Sequence, residues 1–300
     1  MKLIEKIASN KIFKDKPIVL MHIGSAGSNF NKWNKISKNS ILISVDGNKS
    51  SMQTKKKFLK VIDENVIISN KSGRAKFFVT KDPDCSSLLE PNEKVYENWY
   101  LAHRFKIQKK INVNVIEINN FLKSKKIKYI DWLVIDIQGI DLKVIKKLKY
   151  DIKKEISILD IEPGFDFFYK KADTISEVFD YMQKFYIFSD MTFGYNFMVK
   201  NKNLKFLEKK LLFHTNKPSK IYSNINFVNK INNKRTLLLK LIYLLGENKI
   251  FEARDLVNDN INKDKFLLEL RQSVNNLLIF YKLKFILLLP FYYIKKFFKN

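Results

Sequence analysis

Two patterns of apolar and polar positions divide the chain. Up to about residue 200, short apolar runs alternate with polar stretches, as expected for buried strands of an α/β sheet. The first run, residues 18–21, leads into Gly24-Ser-Ala-Gly27, where small residues let the backbone turn sharply. The second, residues 41–45, closes on Asp46. Further strands are predicted over 65–69, 75–80 (in an antiparallel hairpin), 113–118, 132–135 and 156–161, and late strands near 186–188 and 195–199. Helical spacing of Trp33 and Ile36 predicts a helix over 29–38, and Phe58, Leu59 and Ile62 predict another over 52–62. Shorter helices are expected over 120–125, 142–148 and 175–185, and an amphipathic one up to Lys16.

Past residue 200 the pattern becomes helical. An apolar helix over 236–245 is expected to stop at Gly246 in a left-handed cap. Segments 250–257 and 265–285 predict a helical hairpin, ended by Pro290. The expected division is a first domain over 1–200 and a helical region with a basic, apolar tail over 201–300.

The candidate chemistry sits at strand ends. A strand, a glycine-bearing turn and an acid roughly 20 residues on is an arrangement that holds an adenosine, Asp46 accepting from the ribose hydroxyls. A tight turn in any α/β core would look the same. Asp136 closes the strand 132–135, where open α/β sheets carry their chemistry. It reads as a base or acceptor-orienting carboxylate, or as the cap of the turn made by Gln138 and Gly139. Glu162 closes the next strand and faces either an acceptor pocket or solvent. The loop 81–92, with two prolines and adjacent serines, is a segment of the kind that closes over ligands. Ser86, Ser87 and Glu90 would sit on that lid or hold the loop's shape. Asp136, Asp141 and Glu162 would be the residues to gather a divalent ion, but no ligand constellation stands out and no metal is assigned.

Charge and composition narrow the classes. A net charge of +26 invites a nucleic-acid partner. Lysine, however, is spread along the whole chain and no run alternates Arg with aromatics, so a solvated basic surface is the reading adopted. Cys85 is the only cysteine, which excludes an intramolecular disulfide and fits a reducing cytoplasm. His22, His103 and His214 lie far apart without ligand spacing, and His103 and His214 read as surface residues. The N-terminus lacks the long apolar core of a signal peptide, and no uninterrupted apolar stretch of about 20 residues predicts a spanning helix. From Leu270 onward there are six basic residues and no acidic one, a composition suited to an anionic lipid interface or to a helix packed on its own domain or a partner.

Several blocks, in order, resemble the FkbM-type methyltransferases. His22-Ile-Gly-Ser-Ala-Gly with Trp33 behind it is similar to the family's first motif, and Ser44-Val-Asp46 to the acid-bearing end of its second strand. Ile68-Ser-Asn-Lys-Ser-Gly-Arg-Ala-Lys-Phe-Phe78 is similar to its third strand and hairpin. Cys85-Ser-Ser-Leu-Leu-Glu-Pro-Asn92 is the most distinctive block, and Asp131-Trp-Leu-Val-Ile-Asp-Ile-Gln-Gly-Ile-Asp141 is similar to the motif D-x-Q-G-x-E. The resemblance covers residues 18–198. It implies a class I methyltransferase (Rossmann-like) sheet, mostly parallel with helices on both faces, with S-adenosyl-L-methionine as cofactor. His22, Gly24, Ser25, Gly27, Asp46, Asn70, Ser86 and Ser87 would hold the cofactor, and Asp136 and Glu162 would carry the catalysis. His22 stands where the family usually has Asp, Asp141 where it has Glu, and Asn70 where an acid is common. The implied reaction is O-methylation of a hydroxyl, on a sugar of a bacterial surface polysaccharide or a related metabolite. The competing class is a non-catalytic nucleotide-binding module that docks partners, with His22 as the feature favouring it. Expected partners are a small-molecule or glycan acceptor and no nucleic acid. The expected location is cytoplasmic, with the tail as a peripheral contact to the inner face of the membrane.

Overall fold

The computed structural model describes residues 2–26, 28–47, 55–165, 167–196, 205, 207–208, 210–211, 219–231, 233–260 and 265–297. The chain divides into two compact units, Pro17–Ile231 and Met1–Lys16 together with Asn232–Asn300.

The larger unit is built on a seven-stranded sheet. Its strands are β1 (Ile18–Ile23), β2 (Ser40–Asp46), β3 (Lys60–Asn65), β7 (Trp132–Ile135), β8 (Ile158–Ile161), β9 (Tyr186–Asn196) and β10 (Ser219–Asn229), in the order β3-β2-β1-β7-β8-β10-β9. Strands β3, β2, β1, β7 and β8 pair in parallel, and β10 runs antiparallel to both its neighbours. This is the mostly parallel class I methyltransferase sheet that the resemblance implies. The central strands are apolar because both faces are covered: Ile18, Leu20, Met21, Leu42, Leu133 and Leu159 are all essentially inaccessible. A second sheet, ordered β4-β6-β5, is made of β4 (Ile67–Ser69), β5 (Gly73–Thr80) and β6 (Ile107–Glu117).

Several local expectations are corrected. The helix expected over 29–38 is replaced by two 3-10 turns, Asn31–Trp33 and Ser37–Asn39, because Phe30 is left-handed (φ 54°) and Trp33 is buried beside it. Residues 60–62, assigned to a helix, open β3 instead, while 51–54 lie outside the described residues. The predicted third strand over 65–69 is split, Asn65 ending β3 and Ile67–Ser69 forming β4 of the other sheet. The two late strands merge into β9, and residues 197–199 lie outside the described residues. Strand β10 lies beyond residue 200 yet is hydrogen-bonded between β8 and β9, so the larger unit extends to Ile231.

In the smaller unit the expected N-terminal helix is two, Lys2–Ala8 and Lys11–Asp15. The Arg235 Nη1 donates to the carbonyls of Ile12 (3.3 Å) and Lys16 (2.7 Å), closing the end of the second one. Gly246 is the last residue of the helix Lys234–Gly246, and the left-handed position falls to Asn248 (φ 58°), a residue type that tolerates it. The helices Ile250–Asn260 and Lys265–Phe297 follow. The latter runs through Pro290, which removes one backbone bond from a helix of 33 residues without ending it.

Candidate active site at the carboxyl ends of the strands

The strand order reverses at β1, which lies between β2 and β7, and such a reversal opens a crevice beyond the carboxyl ends. A cavity of about 850 Å³ occupies it, within the ~300–1,000 Å³ usual for small-molecule sites. His22 near the end of β1, Gly24 just after it, Asp46 at the end of β2, Asp136 after β7 and Glu162 after β8 all line it.

Backbone contacts knit these ends together. The N–H of Gly24 donates to the Val45 carbonyl (2.9 Å), that of Ala26 to Asp46 Oδ2 (3.0 Å), and that of Asp136 to the Ile23 carbonyl (3.0 Å). Gly24 has φ +80°, and a Cβ there would lie 1.7 Å from the Asp136 carbonyl oxygen, so only glycine lets the first turn sit on the end of β7. Gly27 lies outside the described residues. Ser25 departs from its expected place. It is fully buried with its hydroxyl 2.8 Å from that of Ser44, and it stands outside the cavity lining because it ties the turn to β2.

Burial sets the protonation of the site. His22 is pushed down to about 3 by burial and then by the Lys32 ammonium, so at neutral pH it presents an uncharged imidazole. The ring thus places neither the positive charge of an imidazolium nor the negative charge of the family's usual Asp on the cavity. Lys32 itself pairs with the buried Asp160 (Nζ to Oδ2, 2.6 Å), and Asp160 also accepts from Trp132 Nε1 (3.1 Å) and Asn226 Nδ2 (2.5 Å). Asp136 is raised to about 6, chiefly by burial, with Gln138 opposing through its Nε2 bond to Oδ1 (2.6 Å). Glu162 is raised to about 9 by burial and by the neighbouring Asp136 and Asp141. Asp141 caps the turn: its Oδ1 accepts from Ile137 N (2.9 Å) and its Oδ2 from Gly139 N (3.0 Å). Asp141 thus shares the capping of this turn with Asp136, which is bound to Gln138 and also lines the cavity.

The serine loop is pinned rather than free. Ser87 Oγ donates to the Gln138 carbonyl (2.8 Å) and accepts from Leu89 N (2.9 Å), and Ser86 Oγ accepts from Thr80 N (3.2 Å). Glu90 pairs with Lys170 (3.1 Å) and Lys110 (3.5 Å). The hydroxyls thus hold the loop's shape, while Ser86 and Ser87 still line the cavity. Tyr169 reinforces this from the other side, its hydroxyl reaching the Cys85 carbonyl (2.9 Å) and Gln138 Oε1 (2.8 Å). Asn70 is not among the lining residues; it follows β4, and Ser69 Oγ donates to its Oδ1 (3.3 Å).

Sequence reasoning missed the rest of the wall. Phe77, Lys109 and Ile111 come from the second sheet, and Tyr222 and Asn224 from β10. Tyr169 arrives on a loop and Arg104 on the 3-10 helix Ala102–Phe105. No local motif marks them, since each reaches the cavity through a pairing distant in sequence. Among the described residues no group of three His, Cys, Asp or Glu is placed to hold a metal ion, so Asp136, Asp141 and Glu162 do not form one.

The family model described as the methyltransferase FkbM domain matches residues 19–193. No curated protein matches. Among solved structures, the chain is similar to that of a candidate tRNA (m1A22) methyltransferase from Streptococcus pneumoniae in complex with S-adenosyl-L-methionine. The identity is 10%, the match covers 92% of this chain and 98% of that one, and the TM-score is 0.28.

Proposed function

The chain belongs to the FkbM methyltransferase family and is an S-adenosylmethionine-dependent methyltransferase; on that premise we propose that it methylates a hydroxyl oxygen, on a sugar of a bacterial surface polysaccharide or related glycoconjugate. The observation that carries the O-methylation reading is the pair Asp136 and Glu162, two carboxyls lining one cavity, both raised by burial, with Glu162 raised further by the charge of Asp136. Two such groups suit an acceptor that must both surrender a proton and be held by one.

The residues present suit the cofactor. Asp46 offers a carboxylate for ribose hydroxyls, Gly24 brings bare backbone to the turn, and Val66, Ile67 and Ile68 give an apolar wall for a base. His22 adds no charge to the place where the methionine portion would lie. When bound, S-adenosylmethionine supplies an electrophilic methyl on a sulfonium. Asp136 would accept the proton of the acceptor hydroxyl. Glu162, protonated at neutral pH, donates a hydrogen bond that orients a neighbouring acceptor oxygen. Gln138 holds the Asp136 carboxylate, and Tyr169 holds Gln138. Alignment carries most of the rate, worth up to ~7–11 kcal/mol, while the base adds about 10²–10⁴-fold.

The test is incubation of the purified protein with methyl-labelled cofactor, a panel of nucleotide-sugars and isolated surface polysaccharides, with the product site read by NMR. Label on a sugar oxygen is the expected result. Label on nitrogen or carbon, or on hydroxyls of non-sugar acceptors alone, overturns the reading.

A further inference from the structure

The helix Lys265–Phe297 changes character partway along. Leu267, Leu270, Val274 and Leu278 are buried at helical spacing, the pattern of a helix packed on its own unit. Among the described side chains after Leu278 none is buried. Residues 279–284 are all exposed over more than one full turn of 3.6, and among them Tyr281 still reaches its own unit, its hydroxyl donating to Asn248 Oδ1 (3.1 Å). What is left open is not polar: Ile279 is 54%, Phe280 60% and Leu283 55% exposed, with Lys282 and Lys284 between and beside them. The helical backbone nonetheless continues to Phe297.

The sequence of this extension is ordered by charge. Lys282 and Lys284 precede Phe-Ile-Leu-Leu-Leu-Pro-Phe-Tyr-Tyr-Ile over 285–294, and Lys295 and Lys296 follow it, with no acidic residue after Glu269. Ten residues of helix span roughly 15 Å, about half of the ~30 Å hydrocarbon thickness, so the apolar run is too short to cross. Lysines at both of its ends would reach the same headgroup layer, and Tyr292 and Tyr293 are residues at home at that depth. Among the described residues no helix is long and apolar enough to cross a membrane.

We propose that the end of this helix, from Ile279 onward, is an in-plane membrane anchor whose partner is a bilayer surface rich in anionic lipid. The charge favours a lipid surface over a second copy of the chain, because two such tails would bring like charges together and offer no carboxylate to meet them. This attachment is independent of the acceptor and would hold whatever is methylated.

The experiment uses the full chain and sedimentation with vesicles of phosphatidylcholine alone or with added phosphatidylglycerol, over a range of salt. Binding to the anionic vesicles, weakening with salt and absent from the neutral ones, is expected. Each lysine near such a surface strengthens partitioning by roughly fivefold, so Lys295→Gln with Lys296→Gln should lower it about 25-fold. A second variant, Phe280→Ser with Leu283→Ser, should weaken binding to the same vesicles while S-adenosylhomocysteine affinity, which reports the folded catalytic unit, stays constant. Equal binding to neutral vesicles, no binding to either, or a concentration-dependent dimer by light scattering that the Phe280/Leu283 variant abolishes would overturn the proposal.

Discussion

Replacing Asp46 with Asn tests the cofactor cradle without knowledge of the acceptor. Asp46 closes β2, and its Oδ2 accepts the Ala26 N–H at 3.0 Å, fixing the turn that follows β1. Asn is the same size and keeps one oxygen for that amide. Its other end is an NH₂, which cannot accept from a ribose hydroxyl. One charge-assisted hydrogen bond is thereby lost, worth about 1.5–3 kcal/mol, so the dissociation constant for S-adenosylhomocysteine should rise roughly 10- to 150-fold. Isothermal titration calorimetry measures it directly. The ligand-free protein should melt within about 4 °C of the parent, since the turn keeps its hydrogen bond. An affinity within twofold of the parent, with melting unchanged, would refute the assignment of Asp46 to the ribose.

Gly24→Ala should lower stability by at least about 2 kcal/mol and abolish S-adenosylhomocysteine binding, because a left-handed residue with a Cβ 1.7 Å from the Asp136 carbonyl forces the turn off β7; calorimetric melting reads the first and titration the second. With an acceptor in hand, kcat/KM should rise with pH through about 6 as Asp136 ionises and fall through about 9 as Glu162 does; Asp136→Asn should cut turnover at least tenfold and remove the lower limb. Glu162 also bears on stability: its folded pKa lies above the unfolded one, so the native state holds the extra proton and loses stability as pH rises from about 4.5 to about 9. Melting of Glu162→Gln should therefore gain on the parent across that window, and a constant difference would contradict the burial argument. Cys85, buried and pushed up to about 12, should resist iodoacetamide in the native protein at pH 8 and react on unfolding, as mass spectrometry would show.

Much of the site was legible in order along the chain. The runs at 18–21, 41–45, 132–135 and 156–161 are the continuous apolar strands of a parallel sheet, and a glycine or carboxylate after each marks the carboxyl edge where ligands bind. Gly24 and Asp46 stand out for that reason. The edge strand β3 did not, because Lys60-Val-Ile-Asp-Glu-Asn65 is half exposed and Ile62 falls at helical spacing from Phe58 and Leu59 before it. Strand β10 was hidden by its distance from the motifs, and with it Tyr222 and Asn224.

What the sequence determined by itself is the periodicity of the strands, the places where the backbone can turn, and the carboxylates that end up on one edge. Only the tertiary structure decided what those groups are. His22 becomes a neutral ring and Glu162 keeps its proton because burial withholds water from both. Asp141 takes the amides of Ile137 and Gly139, while Asp136 is held by Gln138 and lines the cavity. Turns and strands are written in neighbouring residues, whereas charge state depends on solvent exclusion and on partners that the fold brings from far along the chain.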